Sequence, residues 1–570
     1  MVFTPAVPEQ RFVLEHAVRI GELAQTERFA AASDDVVEAV LEGAGQFAAG
    51  EWAPLNRIGD TVGARWTPDG VKMPDGYGQA YREYVEGGWG TIGAPEAWGG
   101  QGLPFAVQTA VIETLGTANM GFALAPILTT GAIEALVHHG SPEQQALYLP
   151  HLATGEWTGT MNLTEPQAGS DVGALRATAT PLANGKWSIK GTKIFISFGD
   201  HDLAANIVHL VLARTPGGPV GTRGISLFLV PKFRLDADGN PAEPNDVRTV
   251  SIEHKMGLHA SPTCVLSFGD NDDCVGELIG AEHAGMGAMF TMMNNARLNV
   301  GLQGVQVAEG ATQNAVAYAL DRVQSARAGA ASRDSVAIVE HPDVRRMLLR
   351  MKAQTQAARA LVYYAAGQVD RAGLGDAVAR NRLELVTPLA KAHATDIGNE
   401  VASLNIQVHG GMGFIEETGA AQFFRDARIT PIYEGTNGIQ AADLVGRKLA
   451  LDGGAAFAAL IADLRAEAEH PDLVALVETA ELVGGKLAGA GHDDKLAASY
   501  PFLTMLSVAV CGWLLERGAR AAGDDAFGTM KKTAARFYLD QIVPEALGLR
   551  AAATATADVL YALPAEAFAA

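Results

Sequence analysis

The sequence predicts an α+β protein, mostly α, with strands and helices segregated along the chain. Three observations carry this reading. Apolar residues recur at three- and four-residue steps up to about residue 158. Short strand-like runs separated by Gly/Pro-rich turns fill 159–280. Helical periodicity then returns at 281 and persists to the end. Because strands do not alternate with helices, a doubly wound parallel sheet is not expected. A chain of 570 residues also exceeds what one core can hold. The expected parts are 1–158 (helical), 159–280 (β), 281–450 (helical) and 451–570, a further Ala-rich helical unit.

In the first part, VIETLGTA, GAIEALVHHG and SPEQQALYLPHLATGE carry the helical period, and Ser141-Pro142 is an N-cap followed by proline at the first helical position. In the second, Asn184-Gly185 between two strand-like runs is a hairpin signal, and IVHLVLA, GISLFLVP, RTVSIE and CVLSFG read as strands. From Gly285, residues Met286, Met289, Phe290, Met293 and Val300 fall on one face of a long helix. RVQSARAGAASRDS reads as a loop between helices. No repeat of fixed period is present.

Composition limits the function. Hydrophobic residues make up 48% and charged residues 19%, which is globular rather than disordered. Acidic groups number 64 against 43 basic, a net charge of −21, which argues against nucleic acid or an anionic membrane as the main partner. Cys264, Cys274 and Cys511 form neither a metal-type spacing nor a disulfide framework, as suits a reducing cytoplasm. No signal peptide is read at the N-terminus. Two uncharged stretches, Thr114–Ile133 and Leu496–Leu515, are long enough to test as membrane spans. The first contains Asn119 and Pro126 and reads as a buried helix with its turn; the second is interrupted by Pro501. A soluble, cytoplasmic protein without a membrane span is expected.

Several chemistries lack their signature. No G-x-G-x-x-G follows a strand, and no Walker-type loop, H-E-x-x-H, C-x-x-C or G-x-S-x-G elbow occurs. His138-His139 is an isolated pair, read as surface or packing, so no metal site is expected. Three segments exceed a packing explanation. Asn162–Asp171 offers the hydroxyls of Thr164 and Ser170 beside a proline and a glycine. It could hydrogen-bond a polar heterocycle or pyrophosphate, or be a turn with an N-cap at Ser170 or Asp171. Gln407–Phe414 holds Gly410, Gly411 and Gly413, which could end a helix or let backbone approach something flat or phosphorylated. Pro431–Gln440 sets Glu434 among Ile432, Tyr433 and a glycine. In an apolar pocket its carboxyl would be raised toward working pH and serve as a base; the alternative is an exposed loop glutamate. Arg297 lies on the apolar stripe of the long helix, where a guanidinium needs a carboxylate or an anionic ligand. Glu434 is the candidate partner or near neighbour, and a structural ion pair elsewhere is the alternative.

Taken in order, T-E-P-x-A-G-S-D, K-x-[W/F]-I-[ST], an Arg-bearing helix, Q-x-x-G-G-x-G-F and I-Y-E-G-T-x-x-I-Q resemble the acyl-CoA dehydrogenase family over about residues 50–450. The resemblance implies a β-barrel-like middle domain between a helical N-terminal domain and a helical-bundle C-terminal domain, with FAD as cofactor. It implies removal of hydrogen across the α,β bond of an acyl-CoA thioester, Glu434 taking the α-proton while FAD N5 receives the β-hydrogen as hydride. FAD contacts are implied for Met161, Leu163, Thr164, Gly169, Ser170, Phe195, Ser197 and Thr436. Arg322, Gln324, Gln407, Gly410 and Gly411 resemble groups that reach the FAD of another subunit, so a homodimer or dimer of dimers is expected. Ser170, Asn294, Arg297 and Gly435 are implied on the substrate side. Asn294 stands where fatty-acyl members commonly carry a carboxylate, and the loop after the long helix lacks the family's usual phenylalanine. Length, the TNGIQ ending and the extra helical unit resemble a bacterial branch acting on 3-(methylthio)propanoyl-CoA, so a short or medium acyl-CoA is expected. Electron-transfer flavoprotein is the implied acceptor. Two alternatives share parts of this pattern: an acyl-CoA oxidase, and a non-enzymatic DNA-associated flavoprotein of alkylation response, whose C-terminal extension should be basic.

Overall fold

The computed structural model describes residues 3–570, which divide into two compact units. One comprises residues 3–42, Pro104–Glu113 and Arg297–Ala570; the other comprises Gly43–Leu103 and Thr114–Ala296.

The second unit is built on an eight-stranded sheet. Its order is Val247–Ile252, Thr263–Phe268, Trp187–Ser197, Val275–Ile279, Ile225–Pro231, Asn206–Arg214, Trp157–Asn162. Thr178–Pro181 pairs with both Trp187–Ser197 and Asn206–Arg214, which closes a ring of strands and gives the barrel-like form expected. All pairings are antiparallel except those of Trp157–Asn162 and Thr178–Pro181 with Asn206–Arg214. Asn206–Arg214 and Ile225–Pro231 are buried on both faces, hence their largely apolar sequences, interrupted only by His209 and Ser226 between their ends. Val208, Leu210 and Leu212 pack with Ile133, Leu136, Met289 and Met292, whereas Val211 and Ala213 pack with Ile189, Ile196, Leu266 and Phe268. Alternate side chains of Asn206–Arg214 thus serve two different cores. Gly185, at φ +80°, closes the Asn184-Gly185 hairpin.

The first unit is helical. Pro342–Gly373 and Ala377–His409 pack against each other, and His492–Ala521 packs on both and on Asn437–Gly446. Residues 322–337 form the expected loop, carrying one bridge between Val323 and Ala337. Phe105–His139 and His492–Ala521 are long and apolar enough to cross a membrane, yet 83% of each apolar window is buried inside the protein.

Some local expectations change. Arg65–Thr67 and Gly70–Lys72 form a small hairpin in the part read as helical; the Pro68-Asp69-Gly70 turn is its unused signal. The Phe105–His139 helix is broken at Asn119 (φ −159°, ψ 87°), whose amide donates to the Tyr77 hydroxyl and whose oxygen accepts from the Phe122 N–H. Phe290, placed on the buried stripe, is exposed, and Met292 is buried instead. Ser141 caps its helix with a full capping box, as expected.

Candidate active site

The Glu434 segment links the helices Ala420–Ala427 and Asn437–Gly446. Glu434 and Gly435 both adopt left-handed backbone (φ +56° and +85°). For a non-glycine residue that conformation costs about 1–3 kcal/mol and persists only where its surroundings impose it. Here they do. The Asn437 N–H donates to the Pro431 carbonyl at 3.0 Å, Thr436 caps the following helix by accepting from the Ile439 N–H at 3.2 Å, and the Gln440 amide reaches the Gly435 carbonyl at 3.4 Å. The Tyr433 hydroxyl donates to Gln303 on the long helix Gly285–Asp321. A Cβ at Gly435 would meet Gln440 Nε2 at 2.8 Å.

Glu434 is half-buried. This desolvation pushes it up to about 7, against the opposing pull of Arg297 and Lys391. Arg297 is lowered chiefly by burial, against the opposing pull of Asp443 and then Glu434, and its buried Nε has no hydrogen-bond partner. Lys391, fully buried in the middle of Ala377–His409, is lowered to about 8 by desolvation, with Glu434 and Asp396 acting against it. Sequence reasoning missed Lys391. A lysine flanked by Leu389, Ala390 and Ala392 on a buried stripe carries the same signal that singled out Arg297.

In this unit the other predicted residues lie at the surface. Arg322 and Gln324 are exposed and hydrogen-bond each other at 3.3 Å. Gln407, Gly410 and Gly411 are exposed at the end of Ala377–His409, with Gly410 at φ +60°.

The other unit presents the T-E-P loop. Lys193, fully buried, donates to the Leu163 carbonyl at 3.0 Å and to Glu165 at 2.8 Å, and Glu165 also accepts from the Arg176 and Ala177 N–H groups at 2.6 and 3.0 Å. Burial would raise the Glu165 carboxyl, but Lys193 and these N–H groups hold it below the usual range. The Ile194 N–H donates to the Thr164 carbonyl at 2.9 Å, which lays the loop along Trp187–Ser197. Pairing of Ile196 with Cys264 and of Lys193 with Leu266 leaves Ile194 and Phe195 opposite Val265 alone, a bulge. Phe195 there has φ +60° and is 58% exposed. Leu163 is buried, Met161, Thr164 and Ser197 are half-buried, and Gly169 and Ser170 are exposed. Asp171 heads a short 3-10 turn without a side-chain cap. An exposed aromatic on a bulge, with Thr164 and Ser197 on the flanking segments, fits one face of a tricyclic flavin. Lys193→Met would strand Glu165 in the interior; a stability loss of about 3–5 kcal/mol and weakened flavin retention are expected, read by melting and by visible absorbance after gel filtration. Unchanged melting would contradict the anchoring.

Asn294 is exposed on the long helix. His138 pairs with Glu134 and His139 bonds Thr291 at 2.8 Å; among the described residues no group of three or more His, Cys, Asp or Glu is placed to hold a metal. A surface cleft of about 370 Å³ beside Tyr81, His151 and Trp157 contains none of the predicted residues.

Family models match the chain in succession: acyl-CoA dehydrogenase N-terminal domain over residues 35–156, middle domain over 160–271 and C-terminal domain over 283–449, then acetyl-CoA dehydrogenase C-terminal like over 443–564. A 3-methylmercaptopropionyl-CoA dehydrogenase of Ruegeria pomeroyi is 44% identical, over 98% of this chain and 99% of that protein. The chain belongs to the acyl-CoA dehydrogenase family. A butyryl-CoA dehydrogenase of Syntrophomonas wolfei is 37% identical over 90% of each protein. An acyl-CoA dehydrogenase of Bacillus anthracis complexed with FAD shares the fold, with TM-score 0.75, 22% identity and coverage of 93% of this chain and 91% of that one. As a member of this family the protein is an FAD-dependent oxidoreductase that dehydrogenates acyl-CoA thioesters. The oxidase and DNA-associated alternatives are not favoured, since full-length relatives are dehydrogenases.

Proposed function

We propose that this acyl-CoA dehydrogenase acts on short acyl thioesters, 3-(methylthio)propanoyl-CoA first among them, with Glu434 as the base. The observation that carries the base assignment is the desolvated Glu434 on its strained left-handed backbone, shifted to about 7 against the opposing charges of Arg297 and Lys391. A thioester α-proton is far less acidic than a carboxylic acid, so base strength alone cannot remove it, and the carbonyl oxygen must be stabilised as enolate charge develops. The Glu434 backbone N–H is a donor available for that role by the resemblance of its motif. Bound FAD supplies the hydride acceptor for the β-hydrogen. Phe195, Thr164, Ser170 and Ser197 would hold and orient it, with Met161, Leu163 and Gly169 shaping the loop and Thr436 on the base side. Arg297, Asn294 and Gly435 are assigned to the substrate. The substrate proposal rests on the 44% identity to a 3-methylmercaptopropionyl-CoA dehydrogenase along nearly the whole chain. Its test is an anaerobic flavin-bleaching screen over acyl-CoA thioesters. The methylthio and butyryl thioesters should lead, and fastest bleaching by palmitoyl-CoA would contradict the reading.

A protonated carboxyl cannot accept the α-proton. The kcat/KM profile should therefore fall as pH drops through about 7, the value of Glu434 in the free protein. A profile flat from pH 6 to 8 would contradict this.

We also propose a homodimer or dimer of dimers in which Arg322, Gln324, Gln407, Gly410 and Gly411 contact a second copy's FAD. Supporting it, Phe414 is 86% exposed next to this glycine cluster, and Leu320 and Val323 are exposed beside Arg322. Native mass measurement tests it. Electron-transfer flavoprotein is the proposed acceptor, supported by similarity to a structure from work on the electron transferring flavoprotein of Acidaminococcus fermentans (28% identity, TM-score 0.61, covering 74% of this chain and 98% of that one). The three buried free cysteines suit the proposed cytoplasmic location. The four-part division at 158, 280 and 450 is our proposal for its modules.

A further inference from the structure

Asn437 lies three residues after Glu434 and opens the Asn437–Gly446 helix. Its buried side-chain amide is held on both sides. Oδ1 accepts from Lys391 Nζ at 2.9 Å and from the Thr395 hydroxyl at 3.3 Å, while Nδ2 donates to the Ala392 carbonyl at 3.0 Å and to Asp396 Oδ1 at 2.9 Å. Only one orientation of the amide satisfies this set. Flipped, its oxygen would face the Asp396 carboxylate and its NH₂ the Lys391 ammonium. Asp396 in turn accepts from the Tyr500 hydroxyl at 2.7 Å, and Tyr500 belongs to His492–Ala521, a helix of the C-terminal segment 451–570. An unbroken hydrogen-bonded line therefore runs from that segment to the residue that anchors the Glu434 turn.

We propose that the C-terminal segment takes part in setting the base: Tyr500, through Asp396 and Asn437, holds Lys391 as the positioning residue that keeps Glu434 in its proton-accepting form. This rests on the reading of Glu434 as base. The charges that act on Glu434 are Arg297 and Lys391, and Glu434 in turn raises the adjacent Tyr433; those that act on Lys391 are Glu434, Asp396 and Arg297; Asp396 feels Tyr500, Asn437, Lys391 and Arg428. Burial disfavours the charge of both Lys391 and Asp396; Glu434 and then Asp396 offset it for Lys391, and the Tyr500 and Asn437 hydrogen bonds and then Lys391 offset it for Asp396. Loss of the Tyr500 hydroxyl makes the Asp396 anion less favourable, weakens the hold on the Lys391 cation, and so removes positive charge that favours ionised Glu434.

The test compares wild type, Tyr500→Phe, Lys391→Met and Glu434→Gln, each with flavin bound, by following anaerobic bleaching with butyryl-CoA against pH. Tyr500→Phe removes one hydroxyl from a partly exposed side chain, so it remains decisive if Lys391→Met does not fold. The expected result is an acid limb moved upward by about 0.3–1 pH unit in Tyr500→Phe, with KM within about twofold of wild type, and further upward in Lys391→Met. A Tyr500→Phe profile superimposable on wild type, even with a lower melting temperature, overturns the proposal and leaves Tyr500 structural. Bleaching by Glu434→Gln at the wild-type rate overturns the base assignment instead, so the two failures are distinguishable.

Discussion

Replacing Glu434 by Gln is expected to leave flavin and acyl-CoA bound and to slow anaerobic bleaching by about 10²–10⁴-fold, the range that one positioned general base contributes. The amide keeps the volume and one acceptor of the carboxyl but cannot take a proton. The turn should survive, since its left-handed backbone is held by Asn437, Thr436 and Gln440 rather than by the Glu434 side chain. Arg297 and Lys391 lose a counter-charge, so a modest loss of stability accompanies the change. Stopped-flow bleaching, with flavin content measured separately, gives the result. A rate near wild type would move the base elsewhere.

The largest expected effect on stability lies at Arg359, which is fully buried in the helical unit. Its Nε and Nη2 donate to Glu113 and Glu309 at 2.9 and 2.7 Å, and the Tyr363 hydroxyl donates to Glu113 at 2.5 Å. Glu9 stands 4.0 Å away and pairs with buried Lys531 of the C-terminal segment at 2.8 Å. Arg359→Leu leaves two carboxylates in the interior without their cation, a loss of about 3–5 kcal/mol. Arg346→Leu breaks only an exposed pair with Asp343 and should cost under about 1 kcal/mol. The pH dependence has a defined sign. Burial would raise Glu309, but Arg359 and Lys352 hold it down to about 2, below its ordinary 4.5. Its stabilisation is therefore fully present above about 4.5 and is lost as pH falls toward 2. In Arg359→Leu this acid-side loss should shrink, and adding Glu113→Gln with Glu309→Gln should restore much of the melting temperature. Equal melting of the Arg359 and Arg346 variants would contradict the account.

Much of this was legible in the chain because hydrophobic periodicity reports burial directly. The strand-like run IVHLVLA became a strand buried on both faces, and Ser141-Pro142 and Asn184-Gly185 became the cap and the hairpin their chemistry requires. What remained hidden depends on distant neighbours. Phe290 fits the apolar stripe by spacing, yet nothing in its own sequence says which face of a long helix is covered. The bulge at Phe195 arises from register against Thr263–Phe268, some 70 residues on, and local pattern carries no register. Glu434 and Arg297 stood out as charges in apolar surroundings. Lys391 carried the same signal and was passed over, whereas its connection to Asp396 and Tyr500 had none, because a polar line through a core is visible only once its members are brought together.

The central claim concerns one proton, and it can be measured without turnover. The thioester 3,3-dimethylbutanoyl-CoA has α-hydrogens but no β-hydrogen to transfer, so exchange of its α-position with D₂O, followed by mass spectrometry on the flavin-bound enzyme, isolates the action of the base. The account predicts deuterium uptake with wild type and uptake reduced to background with Glu434→Gln. Uptake by the variant at the wild-type rate would contradict it.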